Sequence, residues 1–250
     1  MNEHLQKAIS DLKQLGIRPG GVLLVHSSLR SLGDFENRAE VITDALLQAL
    51  GPDGTLLMPA LSYVSVTPEN PVFDVLNTPS CVGALTEYFR TRPGVQRSVH
   101  PTHSVTGIGA RADELLSSHH LDTTPVGEHS PFARVKDVDG QILFMGCGLK
   151  PNTSMHGIEE LVEPPYLYSD YTDFTTIHAD GSRSVAHIRC HGFKGWEQRY
   201  DRVENVLTAP ALRKGRVLEA DSYLVNSRDL WDKALHALQG DPLYFIDKVE

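Results

Sequence analysis

Two short apolar strands, Val22 to Val25 and Thr55 to Met58, flank a helical stripe from Ala39 to Leu50. This strand–helix–strand pattern within about 40 residues limits the fold more than any other feature. Four-residue apolar runs bounded by glycine or proline suit strands buried on both faces, and parallel neighbours need a crossover connection, usually a helix. Gln141 to Met145 repeats the pattern: an apolar run enters Gly146-Cys147-Gly148, and a helix is expected from Ser154 to Val162. The rest of the chain extends the same reading. Leu5, Ile9, Leu12 and Leu15 form the stripe of an N-terminal helix over Asn2 to Leu15, stopped by Gly16. Helices are also expected over Val82 to Thr91, Arg111 to Ser117, Trp196 to Leu207 and Ser227 to Leu238, and short strands over Val105 to Ile108 and Gly215 to Asp221. Phe174 to Ile177 and Arg183 to Cys190, joined by Ala179-Asp180-Gly181-Ser182, read as a β-hairpin. The segment Pro59 to Pro79, with four prolines, reads as a long surface loop. No linker or repeat interrupts the pattern. The expectation is one α/β domain over residues 1–250, with a small C-terminal β-hairpin and helix extension.

Composition narrows the function. The chain has 250 residues, 40% of them hydrophobic, and a mean hydropathy of −0.23, enough for a full buried core. No apolar run approaches the roughly 18 residues that a membrane helix needs, and Met1 to Leu12 lacks a signal-peptide core, so the expected location is cytoplasmic, with no membrane partner. The net charge of −9 argues against a nucleic-acid partner and is compatible with a cationic substrate. Cys81, Cys147 and Cys190 are scattered and odd in number, so they are expected to be reduced, partly buried thiols.

Ligands of open α/β sheets bind beyond the carboxyl ends of the strands, and three such places carry suggestive residues. The first is His26-Ser27-Ser28-Leu29-Arg30-Ser31-Leu32-Gly33, where hydroxyls, amides and Arg30 suit a phosphate without matching a Walker or GxGxxG spacing. The second is Arg97-Ser98-Val99-His100-Pro101-Thr102-His103-Ser104. Its His-x-x-His pair would bind zinc only with further ligands, and no HExxH is present, so the favoured reading is a polar loop that hydrogen-bonds a ligand. The third runs from Gly146 to Glu160. There Thr153 or Ser154 is a candidate N-cap, and Thr153, His156 and Glu160, at i, i+3 and i+7, can share a helical face. Glu159 and Glu160 offer carboxylates to orient His156, the arrangement a general base needs. No GxSxG elbow marks a nucleophile. His119 and His120 are expected to be solvated, and His178 and His187 to be structural.

Together these stretches resemble the aminoglycoside 3-N-acetyltransferase family of antibiotic N-acetyltransferases. The matching motifs are Val25 to Gly33, Gly54 to Pro59, Phe73-Asp74 with Thr78-Pro79, Phe89-Arg90 with Pro93-Gly94, Arg97 to Ser104, Gly127 with Ser130-Pro131, and Thr153 to His156 with Glu159. They fall in order across roughly residues 5 to 245. The resemblance implies a three-layer α/β/α sandwich with a mixed sheet, and acetyl-CoA as co-substrate without a metal. It implies that His26, Ser27, Ser28, Leu29, Arg30, Ser31 and Leu32, with Ser98, Val99, His100 and Ser104, hold the coenzyme. His156 is then the catalytic base, Thr153 a hydrogen-bond donor near the thioester, and Glu159 a catalytic partner. Asp74 and Glu159, with Glu160 and Asp201, are the acidic residues expected to hold the cationic amine. The Tyr166 to Tyr171 region departs from the drug-inactivating members, and this departure touches the acceptor site. The expected activity is therefore transfer of an acetyl group directly to an amine of an aminoglycoside, by a monomer or homodimer. The alternatives are an acyltransferase for another small amine or secondary metabolite, a zinc-dependent hydrolase built on His100, His103 and another histidine, and a coenzyme-A-binding protein without turnover.

Overall fold

A computed structural model describes residues 2–249, so Met1 and Glu250, the ends of the expected domain, lie outside the described residues. The local signals act where the sequence places them. Asn2 Oδ1 accepts from the amides of His4 and Leu5 and so starts the first helix, and Gly16, at φ 107°, ends it in the left-handed region that glycine enters freely. The elements in chain order are α1 (Glu3–Leu15), β1 (Val22–Ser27), α2 (Arg38–Leu50), β2 (Thr55–Pro59), β3 (Val72–Asp74), α3 (Ala84–Arg90), β4 (Gln96–Arg97), β5 (Val105–Gly109), α4 (Ala112–Leu116) and α5 (Pro131–Arg134). They continue as β6 (Gln141–Met145), α6 (Ser154–Glu160), β7 (Tyr168–Ile177), β8 (Arg183–His191), β9 (Trp196–Gln198), β10 (Leu212–Val217), β11 (Ala220–Asn226), α7 (Ser227–Gly240) and β12 (Ile246–Lys248).

The main sheet has seven strands in the order β10-β11-β6-β1-β2-β5-β4. Its centre is parallel: β1 pairs with β2 from Val22↔Thr55 and with β6 from Leu23↔Gln141 to Ser27↔Met145. The outer strands β11 and β5 run antiparallel, which makes the sheet mixed. Alternation along β1, β2 and β6 separates two apolar layers. Leu23, Val25, Leu56, Met58, Leu143 and Met145 face α1, α2 and α3. Val22, Leu24, Leu57, Ile142 and Phe144 face α4, α5, α6 and α7. The result is the three-layer α/β/α arrangement, because strands apolar on both sides must be covered on both sides.

A second, three-stranded sheet has the order β3-β7-β8 and packs over Val66, Phe73, Phe174 and Ile188. It carries the expected hairpin, longer than the sequence suggested, and adds β3 to it in parallel through Val72↔Thr175. Pro59 to Pro79 is therefore not a simple surface loop: Ala60, Ser62, Val66 and Phe73 are buried and β3 supplies a strand edge. Two further expectations are corrected. Trp196 to Leu207 is not a helix, because Trp196 to Gln198 pairs with β12 and only Tyr200–Asn205 forms a 3-10 turn. The strand expected at Gly215 to Asp221 is a hairpin, β10 and β11, turning at Leu218 and Glu219 and completing the edge of the main sheet. Thus β10, β11 and α7 are built into the main layers, while the β7–β8 hairpin stands apart in the second sheet. Among the described residues no helix is long and apolar enough to cross a membrane.

β1 is the point from which the chain leaves in two directions, to β2 on one side and β6 on the other, and the carboxyl ends of all three parallel strands open on one edge. Eight residues separate β6 from α6, which is held close to α7 by Gly157. A Cβ there would lie 2.6 Å from the Trp231 ring and 2.7 Å from Val126. Gly157→Ala is expected to cost about 1–3 kcal/mol in urea unfolding through overpacking. An unchanged midpoint would show that α6 and α7 have slack at this contact.

Candidate active site

The carboxyl ends of β1, β2 and β6 form the floor of a cavity of about 630 Å³. His26 and Ser27 come from β1, Pro59 and Leu61 from the end of β2, and Cys147 from the segment after β6. Thr153 and His156 enter from α6, Thr102 and His103 from the loop before β5, and Ser169, Phe174, Cys190, His191, Phe193, Gln198 and Tyr200 from the far side.

His156 is fixed at one nitrogen. Its Nδ1 lies 2.9 Å from the Tyr200 hydroxyl and 3.4 Å from Glu159 Oε2. Tyr200 donates its own proton to Glu159 Oε2 at 2.7 Å, and Tyr166 donates to Oε1 at 2.9 Å. Since the Tyr200 proton goes to Glu159, its oxygen is the acceptor for His156 Nδ1–H, and the network assigns the lone pair to His156 Nε2. Burial, and then the Glu159 charge, push the Tyr200 phenol well above its ordinary value, so it stays a donor. Glu159 is fully buried. It is therefore a group that positions His156, and it does not reach a substrate in the cavity.

A second carboxylate holds a second histidine. Glu160 Oε1 lies 2.8 Å from His191 Nε2 and accepts from the Val126 amide, and Oε2 accepts from the Thr124 hydroxyl. Burial raises the Glu160 carboxyl above the usual range. His191 Nδ1 is buried without a partner. The rings of His103, His156 and His191 pack against one another, with centroids 4.8–6.0 Å apart. His26 stacks on Phe144 at 5.0 Å, and its Nε2 is also buried without a partner. Burial pushes His26 down to about 3 and keeps it neutral.

Several residues singled out in the sequence are used elsewhere. In the first loop only His26 and Ser27 line the cavity. Ser28 to Leu32 turns away as a 3-10 segment: Ser31 Oγ bonds Ser28 Oγ and the Gly146 carbonyl, Leu32 is buried in the helical layer, Leu29 packs beside it, and Arg30 is exposed. In the second loop the cavity receives Thr102 and His103, while its other polar groups stay inside the protein. Ser98 Oγ bonds His119 Nδ1 and the Val105 amide, and Ser104 Oγ bonds the Ala60 carbonyl. Val99 packs beside the three-stranded sheet. His100 Nδ1 accepts from the amides of Thr102 and His103, and Nε2 lies 3.2 Å from the Thr124 carbonyl, which leaves it no lone pair for the expected zinc pair with His103. Asp74 caps its own turn at Leu76 and Asn77, and Asp201 pairs with Arg199. Thr153 precedes α6 with helical backbone angles and makes no side-chain capping bond, so its hydroxyl is free for the cavity.

His119 is fully buried and not solvated as expected, because Ser98 draws it inward. The three cysteines are free and partly buried as expected, and burial pushes the Cys147 thiol up to about 11, far from a reactive thiolate. No local pattern marks His191, Phe193 or Tyr200 as site residues. They reach the site only through the pairing of β8 and the 3-10 turn after β9.

The comparisons with known proteins agree with this architecture. The family model described as aminoglycoside 3-N-acetyltransferase matches residues 24–239. The chain is 36% identical over 245 residues to aminoglycoside N(3)-acetyltransferase IV of Salmonella sp, covering 97% of this chain and 90% of that protein. Among solved structures, a histidine-to-alanine variant of aminoglycoside acetyltransferase AAC(3)-IVa in complex with gentamicin superposes with a TM-score of 0.81 at 33% identity, covering 96% of this chain and 90% of that one. The binary complex of AAC-IIIb with CoASH superposes with a TM-score of 0.82 at 25% identity, covering 94% and 96%.

Five buried histidines set the acid stability. Burial holds His26 near 3 and His100 near 4, and burial with neighbouring imidazoles holds His103, His119 and His191 well below 6.5. The unfolded chain protonates them below about 6.5, whereas the fold does so only at their lowered values. Stability is therefore present above that value and is lost as pH falls, by up to about 1.4 kcal/mol per pH unit for each histidine. Urea midpoints are expected to drop steeply from pH 7 to pH 5, with net proton uptake on unfolding. A flat midpoint over that window would show that these rings are solvated.

Proposed function

This chain belongs to the aminoglycoside 3-N-acetyltransferase family, acyltransferases that use acetyl-CoA, and we propose that it moves the acetyl group directly to the 3-amino group of an aminoglycoside with His156 as general base. The observation that carries the reading is the single fixed nitrogen of His156. Tyr200 and Glu159 occupy Nδ1, and the ring lines the cavity with its other nitrogen unbonded.

An amine attacks a thioester only through its lone pair, and a protonated amine has none. His156 Nε2 takes a proton from the amine nitrogen as the C–N bond forms, a contribution of about 10²–10⁴-fold for such a base. The C–S bond then breaks, the electron pair leaves on the coenzyme sulfur, and that thiolate recovers the proton from the imidazolium. Tyr200 and Glu159 stabilise the imidazolium while it exists, as a buried carboxylate does behind a catalytic histidine. The free hydroxyl of Thr153 is the donor for the oxyanion or the thioester carbonyl. His26, neutral and with an unpartnered Nε2, is the donor or acceptor for an amide of the pantetheine arm. No acyl-enzyme is required, since Cys147 is held as a thiol and, among the described residues, no other activated nucleophile lines the cavity. In this mechanism residues 1–250 act as one catalytic unit.

One observation supports a second acceptor. Among the described residues no aspartate or glutamate lines the cavity, and Asp74, Glu159, Glu160 and Asp201 are all engaged elsewhere. A polycation gains most from carboxylates at the contact, so a smaller, less charged amine also fits.

Thiol release from acetyl-CoA across a panel of aminoglycosides and small monoamines separates the two acceptors. His156→Ala is expected to lower kcat at least about 100-fold while leaving acetyl-CoA affinity within about twofold. Loss of coenzyme binding with normal turnover at saturation would overturn the assigned role.

A further inference from the structure

The three histidines at the cavity wall are built like a metal site. One ring nitrogen from each of His103, His156 and His191 lies within 4.8 Å of the other two. In each ring the opposite nitrogen is held from outside: His103 Nδ1 by Thr102 Oγ1 at 2.9 Å, His156 Nδ1 by Tyr200 and Glu159, and His191 Nε2 by Glu160. Metal-binding histidines are oriented in this way, with a carboxylate or hydroxyl on the far nitrogen fixing the tautomer. The nitrogens left over are His103 Nε2, His156 Nε2 and His191 Nδ1. His191 Nδ1 is a buried lone pair with no hydrogen-bond partner, on a side chain 7% exposed. Nothing in the acetyl-transfer chemistry accounts for that orphan.

We propose that His103, His156 and His191 form an inhibitory site for a divalent transition metal of the zinc class, with the fourth position open to the cavity and filled by water. Three neutral imidazoles select Zn²⁺, Cu²⁺, Ni²⁺ or Co²⁺ over Mg²⁺ and Ca²⁺, which prefer oxygen ligands. A Zn–N bond of about 2.0–2.1 Å sets tetrahedral ligands roughly 3.4 Å apart, so the rings close on the ion by small rotations. The ion takes the lone pair of His156 that acetyl transfer needs, so binding and turnover exclude one another. The inhibitory part rests on His156 being the base, whereas the binding site does not.

The test uses chelator-treated full-length enzyme titrated with Co²⁺, read by its visible absorption, and then with Zn²⁺. One Co²⁺ per chain with a four-coordinate spectrum, displaced by one Zn²⁺, is expected. His191→Gln and His103→Gln should each weaken Co²⁺ binding at least tenfold, and Glu160→Gln by about 10–100-fold. Retained acetyl-CoA binding shows that each variant is folded. No saturable Co²⁺ binding, or binding unchanged in both histidine variants, would overturn the proposal. Zn²⁺ at one equivalent should also abolish acetyl transfer. Stoichiometric Zn²⁺ bound through His191 with turnover intact would support the site and contradict the role of His156 as base.

Discussion

The site depends on one buried carboxylate. Glu159 has no solvent access, yet it takes hydrogen bonds from Tyr166 and Tyr200 and lies beside His156. A carboxylate in an apolar interior is costly unless every oxygen is satisfied, and two phenols and an imidazole meet that demand. The consequence is spatial. Glu159 sits on α6, Tyr166 precedes β7, and Tyr200 opens the 3-10 turn after β9, so a single group ties one nearby and one distant stretch to α6. Once they are there, His156 can point only one nitrogen into the cavity.

Its neighbour in sequence works in the same way for a different ring. Successive helical residues point about 100° apart, so Glu159 turns toward Tyr200 while Glu160 turns toward His191, Thr124 and Val126. In sequence both glutamates read as groups that orient His156 and, by the resemblance, hold the cationic amine; Glu159 does lie beside His156, whereas Glu160 orients His191 instead. This also explains why a chain of net charge −9 has a cavity without carboxylates among the described lining residues: the acids nearest the chemistry are spent holding histidines.

The parts of this structure that were legible were those governed by local pattern. The apolar runs of β1, β2 and β6, bounded by glycine and proline, gave the parallel centre of the sheet within two residues at each end, and the stripe of α1 with Asn2 and Gly16 gave that helix. His156, Thr153 and Glu159 were legible because three- and four-residue spacing implies a shared face and because the flanking motifs resemble a family. What failed was decided by distant partners. Trp196, Tyr200, Val203 and Leu207 form a helical stripe in sequence, yet Trp196 to Gln198 is claimed by Ile246 to Lys248. β3 hides among prolines and exists only because β7 offers an edge. The Ser98 to Ser104 loop reads in sequence as a polar loop that hydrogen-bonds a ligand, but His119, Thr124 and Ala60 absorb much of its hydroxyls and rings. His191 carries no local signal at all, since its place depends on the register of β8 against β7.

The Glu159–Tyr200 pair fixes the His156 tautomer, and ¹⁵N NMR of the histidine rings in the free enzyme at neutral pH reads that tautomer. His156 is expected to carry its proton on Nδ1 and a bare lone pair on Nε2, a preference that weakens in Glu159→Gln. A predominant Nε2–H tautomer in the unaltered protein would contradict it.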